Sequence, residues 1–73
     1  MQRYLDIDGD SNVEAYDIGP DYINVKFFGT AKIYQYSYQS AGRENVETMK
    51  RLAKNGDGLN SFIDKHVKYL YVK

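Results

Sequence analysis

An alternating segment, residues 22–38, constrains the fold of this chain more than any other feature. Ile23, Val25 and Phe27 recur at every second position, which is the pattern of a β-strand with two unlike faces. Residues 31–38 repeat the alternation and are rich in the aromatic and β-branched types that strands favour. The sequence therefore predicts a β-hairpin.

The connection between the two predicted strands fixes their register. Gly29-Thr30 separates them, and glycine at the first position of a two-residue loop suits a primed hairpin turn. A slip by one residue would move every side chain to the opposite face of the sheet. The predicted partners are Phe28 with Ala31, Val25 with Tyr34, and Ile23 with Tyr36.

This register gives the hairpin two unlike faces. One face is more apolar and is the predicted core face, which favours core positions for its tyrosines over the alternative, a platform on which RNA bases stack. It carries Ile23, Val25, Phe27, Tyr34 and Tyr36. The other face is mixed, and four of its residues are the candidate partner-binding residues: Tyr22, Lys26, Phe28 and Ile33. The alternative is that residues 1–8 or 69–73 cover this second face.

Further elements are predicted on both sides of the hairpin. Residues 13–18 form a short strand, and residues 1–10 form an edge strand or a disordered leader before a single domain, 11–73. Residues 39–42 break the pattern and lead into a helix over 43–55, which Gly56 ends.

The second predicted helix has the clearest pattern. Leu59, Phe62, Ile63, His66, Val67 and Leu70 form its apolar stripe, and residues 69–73 alternate again, as in a short strand. The fold class is therefore α+β: a three- or four-stranded antiparallel sheet, a meander with two C-terminal helices packed on one face.

Composition narrows the class of protein. The chain has 73 residues, which suits one domain, and no cysteine, which fits a reducing cytoplasm and removes thiolate metal sites. No apolar run approaches the ~20 residues that a membrane helix needs, so we expect no membrane association. The net charge is zero, which argues against strong nonspecific binding to nucleic acid.

The charge is nevertheless uneven along the chain. Residues 1–42 hold three basic and six acidic side chains, and residues 43–73 hold seven and four. The ordinary explanation is that helices carry solvated lysine and arginine. The alternative is an RNA-binding surface on the helical half, formed by Arg43, Lys50, Arg51, Lys54, Lys65 and Lys68.

The chain offers little for catalysis or for a cofactor. His66 is the only histidine and lies within the apolar stripe, and no serine has the context of a nucleophile, so we expect neither an enzyme nor a cofactor. Asp6, Asp8 and Asp10 have the spacing of a calcium loop, but Ser11 stands where such a loop requires glycine. An acidic, solvated turn is the expected structure there.

Several short motifs in a particular order resemble a known family. They are Ser11-Asn12-Val13, Tyr16-Asp17, Gly29, the central Tyr34-Gln35-Tyr36, and Gly58-Leu59-Asn60. Together they resemble the KTSC domain, which occurs at the C-terminus of some lysyl-tRNA synthetases and as stand-alone bacterial and phage proteins. The resemblance spans about residues 11–69. It implies an α+β domain of unknown function, suggests RNA binding from the synthetase context, and carries no catalytic residue.

These observations favour a small, non-catalytic binding module. The favoured function is contact with an unknown protein partner, or with a second copy as a homodimer, through the second face of the hairpin. Binding of RNA, such as tRNA, by the basic helical half is the alternative.

Overall fold

A computed structural model describes residues 1–7, 9 and 11–73 as one sheet with helices on one of its faces. The sheet is an antiparallel meander of four strands in the order β1-β2-β3-β4. The strands are β1 (Gln2–Arg3), β2 (Val13–Ile18), β3 (Tyr22–Phe27) and β4 (Ile33–Ser37). The predicted α+β class with a four-stranded antiparallel sheet is confirmed.

The β3–β4 hairpin has the predicted register. Val25 pairs with Tyr34 and Ile23 pairs with Tyr36, while the ladder ends at the pair of Lys26 and Ile33. The predicted strand pairing beyond this point, between residues 28 and 31, is wrong. The backbone N–H of residue 28 donates instead to the carbonyl of residue 12, at 2.9 Å, which continues the contact with the β2 side of β3.

Strand β2 contains a bulge that changes its spacing against β3. Val13 lies opposite Phe27, but the next pair is Ala15 with Lys26, which leaves Glu14 as the extra residue. On its other side β2 pairs with β1 through Gln2–Tyr16 and Arg3–Ala15. Of the two alternatives for the N-terminus, the structure thus has an edge strand at Gln2–Arg3.

The first helical residues come earlier than the sequence indicates. Residues 39–42 were expected to be a break, but Tyr38–Ala41 forms a short helix, α1. Ser37 accepts a hydrogen bond from the backbone of Ser40, and the Ser40 hydroxyl accepts one from the backbone of Ser37, so the two serines form a capping box. The predicted long helix follows as α2 (Arg43–Asn55), with Gly56 in the left-handed conformation after it.

The second predicted helix is shorter and less regular than its stripe suggests. Leu59–Phe62 is an α-helix, α3, and Ile63–Val67 continues as a π-helical turn. Of the stripe, Leu59, Ile63 and Val67 are buried and Phe62 is half-buried, whereas His66 and Leu70 are exposed. The short strand predicted over residues 69–73 does not form. The C-terminal segment, residues 68–73, makes one backbone hydrogen bond to the sheet, from Val72 N–H to Gln35 O at 2.6 Å.

One core lies between the sheet and the helices. Tyr36 is 1% exposed and is among the largest fully buried side chains. The other buried members from the sheet side are Tyr4, Val13, Tyr16, Ile23 and Val25, and those from the helical side are Ala41, Val46, Met49, Ala53, Leu59, Ile63 and Val67. The helices therefore cover the face of the hairpin that the sequence marks as the core face.

The buried ring of Tyr36 should carry a large share of the stability. Because Tyr36→Ala leaves a cavity in the core, we expect it to lower the free energy of unfolding by roughly 3 kcal/mol or more. Tyr36→Phe keeps the ring and should cost much less. Urea denaturation followed by circular dichroism measures both, and similar small losses for the two variants would contradict a core role for the ring.

The N-terminal segment is fastened to the junction between α2 and α3. Ile7 N–H donates to Gly56 O at 2.8 Å, and the Tyr4 hydroxyl accepts from Leu59 N–H at 3.3 Å. Gly56 has a φ of 74°, and a Cβ built on it would lie 2.7 Å from Leu5 Cβ. This glycine is therefore required both by the backbone conformation and by the close approach of residue 5.

A pair of glycine variants separates these two requirements. Gly56→Ala combines left-handed strain with a clash, whereas Gly29→Ala has only the strain, because nothing lies within 4 Å of a Cβ on Gly29 at its φ of 85°. We expect Gly29→Ala to cost about 1–2 kcal/mol of unfolding free energy, and Gly56→Ala to cost clearly more. Equal losses of unfolding free energy in urea denaturation would show that the N-terminal segment moves away from the new Cβ without lowering the stability.

Candidate functional site

The face of the sheet opposite the helices, called the outer face below, is crossed by one row of side chains. Ladder partners lie side by side on the same face, and they join Arg3 to Ala15, Ala15 to Lys26 and Lys26 to Ile33. Ile33, on the edge strand β4, is 44% exposed. None of the helices in the described part of the chain covers this row, so it is a surface open to another molecule.

The charge of Lys26 is already paired within the chain. Its ammonium group contacts the carboxylate of Glu14, the extra residue of the bulge in β2. The bulge thus holds an acidic side chain against the centre of the outer face. Lys26 consequently offers a partner an ion pair rather than a lone positive charge.

Phe28 and Tyr22 lie at opposite ends of β3. Phe28 is 54% exposed and borders a hollow of about 350 Å³ that Met1, Arg3 and Ala15 also line. Tyr22 packs its ring over Gly19, where a Cβ would come within 2.1 Å of the ring.

The structure pairs two of the four predicted partner-binding residues and places a third at the end of the same strand. Lys26 and Ile33 are direct ladder partners, and Phe28 follows the end of β3. Tyr22 stands apart, roughly 13 Å away along the strand from Lys26. Neither terminus covers the outer face, since β1 extends the sheet and Tyr71 packs on the helical side against Tyr34.

Two of the predicted RNA-binding residues surround the ring of Tyr38. The Lys50 ammonium lies 5.5 Å from the centroid of this ring, and the Arg43 guanidinium lies 5.7 Å from it. Lys50 Nζ also lies 2.9 Å from Glu47 Oε2 and donates a hydrogen bond to the carbonyl of Pro20 at 3.2 Å. The Tyr38 hydroxyl donates to Glu47 at 2.6 Å, which raises the pKa of Tyr38 and lowers the pKa of Glu47. Lys50 thus links α2 to the turn before β3.

The remaining basic residues of that prediction are exposed and do not share one element. Arg51 and Lys54 lie on α2, and Lys65 lies in the π-helical turn. Lys68 follows that turn and lines a cleft beside the C-terminal segment. The helical half therefore presents several separate positive charges on its surface.

The cleft that Lys68 lines is the feature that the sequence reasoning missed. It has a volume of about 460 Å³ and lies between the hairpin end of the sheet, the π-helical turn and the C-terminal segment. Its aromatic lining consists of Phe27, Phe28, Tyr34, Tyr36, Tyr69 and Tyr71. The available signal is the pair Tyr69 and Tyr71, which alternate with Leu70 and Val72 in the segment where the sequence predicts a short strand.

The rings of the cleft meet edge to face. Tyr34 and Tyr71 have centroids 4.9 Å apart at 80°, and Phe27 and Tyr34 have centroids 5.6 Å apart at 70°. Tyr71 also meets Tyr36, at 6.3 Å and 85°. Such pairs stabilise by about 0.5–1.5 kcal/mol beyond the burial of their area, so Tyr71 fastens the C-terminal segment to the sheet.

Burial also changes the acidity of Tyr36. The pKa of Tyr36 is raised to about 12, mainly by the loss of hydration on burial and to a smaller extent by the neighbouring Tyr34, Tyr71 and Asp64. The neutral phenol is thus the form that the fold stabilises.

The raised pKa of Tyr36 makes stability depend on alkaline pH. The ordinary pKa is 10.0 and the folded value is about 12, so the unfolded chain releases this proton first. The contribution is complete below pH 10 and is lost as pH rises towards 12, a loss on the order of 3 kcal/mol. Urea denaturation across this range should show a shallower fall for Tyr36→Phe; identical slopes for the two proteins would contradict the assignment.

The described residues contain no group of three histidine, aspartate or glutamate side chains that could hold a metal ion. His66 is exposed, and its ring lies 4.6 Å from that of Phe62. In the candidate calcium loop, the carboxylate of Asp6 accepts from the backbone N–H of Ser11 at 3.1 Å. The other two members, Asp8 and Asp10, lie outside the described residues.

The helices of the described chain are also unsuited to crossing a bilayer. None is both long enough and apolar enough for that purpose.

Comparison of the chain with family models, with curated proteins and with solved structures finds no significant match. The resemblance to the KTSC domain therefore stays a hypothesis based on the motifs named above.

Proposed function

We propose that this protein is a non-catalytic binding module that associates with a second copy of itself through the outer face of its sheet. The observation that carries the proposal is the placement of all the helices on one face, which leaves the row from Arg3 to Ile33 uncovered. Phe28 and Ile33, at 54% and 44% exposure, give this face apolar contact area. Large exposed apolar side chains on an open sheet favour association.

The charges of the outer face favour a second copy as the partner. In a two-fold dimer one patch meets itself, so it must contain groups that complement one another. Arg3 is exposed on this face, and Asp17, the ladder partner of Asn24, is exposed on it as well. Neither has an ion-pair partner among the described residues, so the arginine of one copy and the aspartate of the other are free to pair.

A different protein partner and RNA are the competing possibilities. The RNA alternative used the basic residues of the helices, but Lys50 and Arg43 are engaged around Tyr38. The outer face also differs more from an ordinary solvated surface, because it exposes the large apolar side chains of Phe28 and Ile33. Self-association is therefore the function that we favour.

Substitution of Ile33 tests this proposal. We expect sedimentation of the wild-type chain to give a concentration-dependent dimer, and Ile33→Asp to weaken that dimer by about tenfold or more, since it places a charge within the apolar part of the contact. Leu70→Asp is the matched control, because Leu70 is also 44% exposed but lies in the C-terminal segment.

The dimerisation of the wild type and that of the control variant together determine how the result for Ile33→Asp is interpreted. Leu70→Asp should dimerise like the wild type, with circular dichroism showing that both variants are folded. A wild-type chain that stays monomeric at all concentrations would contradict self-association and would favour a different protein partner. Equal weakening by the two variants would also argue against the outer face.

A further inference from the structure

The cleft beside the C-terminal segment has the size and lining of a small-molecule site. Its volume is about 460 Å³, within the range of about 300–1,000 Å³ that such sites occupy. Tyr69, at 68% exposure, and the half-buried Tyr34 and Tyr71 present rings in or at the edge of it. Accessible rings of this kind stack on planar, aromatic ligands.

Lysine ammonium groups accompany these rings. Each ammonium lies over at least one of the rings, and a positive charge next to a stacking ring attracts the phosphate of a nucleotide, so the combination suits an anion attached to a flat ring. The distances from Nζ to ring centroid are 4.9 Å for Lys32 to Tyr34, 5.5 Å for Lys32 to Tyr71, 5.5 Å for Lys68 to Tyr69, and 5.9 Å for Lys73 to Tyr71.

Polar side chains complete the lining. Asn12 and Asn60 line the cleft, and amide groups of this type donate to and accept from the edges of bases. Asp64 is the single acidic residue among the described lining residues, whereas Lys68 lines the cleft and Lys32 lies against two of its rings. The local charge is therefore positive although the chain as a whole is neutral.

From the rings, the lysines and the amides together, we propose that this cleft binds a nucleotide. The base stacks on the exposed tyrosine rings, and the phosphate lies against the ammonium groups of Lys32 and Lys68. Free nucleotides and single-stranded nucleic acid both supply this chemistry. The proposal does not depend on dimerisation, because the row from Arg3 to Ile33 does not line the cleft.

The binding test is an amide NMR titration of the full chain. The probes are AMP and UMP in one arm and short single-stranded oligo(A) and oligo(U) RNA in the other. We expect saturable shifts at residues around the cleft, notably Tyr34, Lys68 and Tyr69, that become smaller as salt is raised. Saturation with the mononucleotides identifies a free-nucleotide site, and saturation with RNA alone identifies a single-strand site.

Variants at two exposed positions measure the contribution of the tyrosine ring and that of the lysine charge to binding separately. Tyr69→Ala removes a stacking ring and should weaken binding by about tenfold, whereas Tyr69→Phe should bind like the wild type. Lys68→Ala should weaken binding and reduce its salt dependence. The matched control is Lys54→Ala, which removes the same charge from α2, away from the cleft, and should leave the affinity within about twofold of the wild type.

Three results would overturn the proposal. The first is the absence of saturable shifts with all four probes at low salt. The second is a loss for Lys54→Ala as large as that for Lys68→Ala, which would show nonspecific attraction to the net surface charge. The third is an affinity of Tyr69→Ala equal to that of the wild type, with circular dichroism showing that the variant is folded.

Discussion

The register of the β3–β4 hairpin determines which side chains face the helices and which face outward. Since neighbouring side chains on a strand point to opposite faces, pairing Val25 with Tyr34 puts both on the helical side and Lys26 with Ile33 on the other. A shift of β4 by one residue against β3 would turn Gln35 inward and expose Tyr36, the large ring that the core is built around. The core, the outer face and the floor of the cleft all follow from this one alignment.

Local patterns in the sequence predict the elements whose structure is set by their own residues. The bounds of α2 follow from its periodicity and from Gly56, and the hairpin register follows from alternation with a short loop. Prediction from the sequence fails where a contact with a residue distant in the chain determines the local structure. Residue 28 leaves the ladder because its N–H donates to residue 12, a contact between separate strands. Residues 63–67 form a π-helical turn that no periodicity of the stripe indicates.

The two candidate surfaces differ in how far the sequence predicts them. Lys26 and Ile33 on the outer face are ladder neighbours within one hairpin, so their proximity follows directly from the register. The cleft instead joins Tyr34 to Tyr69 and Tyr71, which are separated from Tyr34 by three α-helices and the π-helical turn. Its rings come together only because the C-terminal segment turns back onto β4. Tyr34 and Tyr36 thereby have different roles: Tyr36 is core, and Tyr34 is also part of an open surface.

Phe28 physically connects the two surfaces, because its ring borders both the hollow of the outer face and the aromatic cleft. A substitution at Phe28 therefore changes both surfaces at once, and loss of any binding in such a variant does not identify which of them is responsible. Ile33 belongs to the row on the outer face and borders neither the hollow nor the cleft. Tyr69 lines the cleft but not the hollow. If a second copy and a nucleotide both bind, Phe28 is the side chain through which one would affect the other, since its ring contributes to the wall of each site.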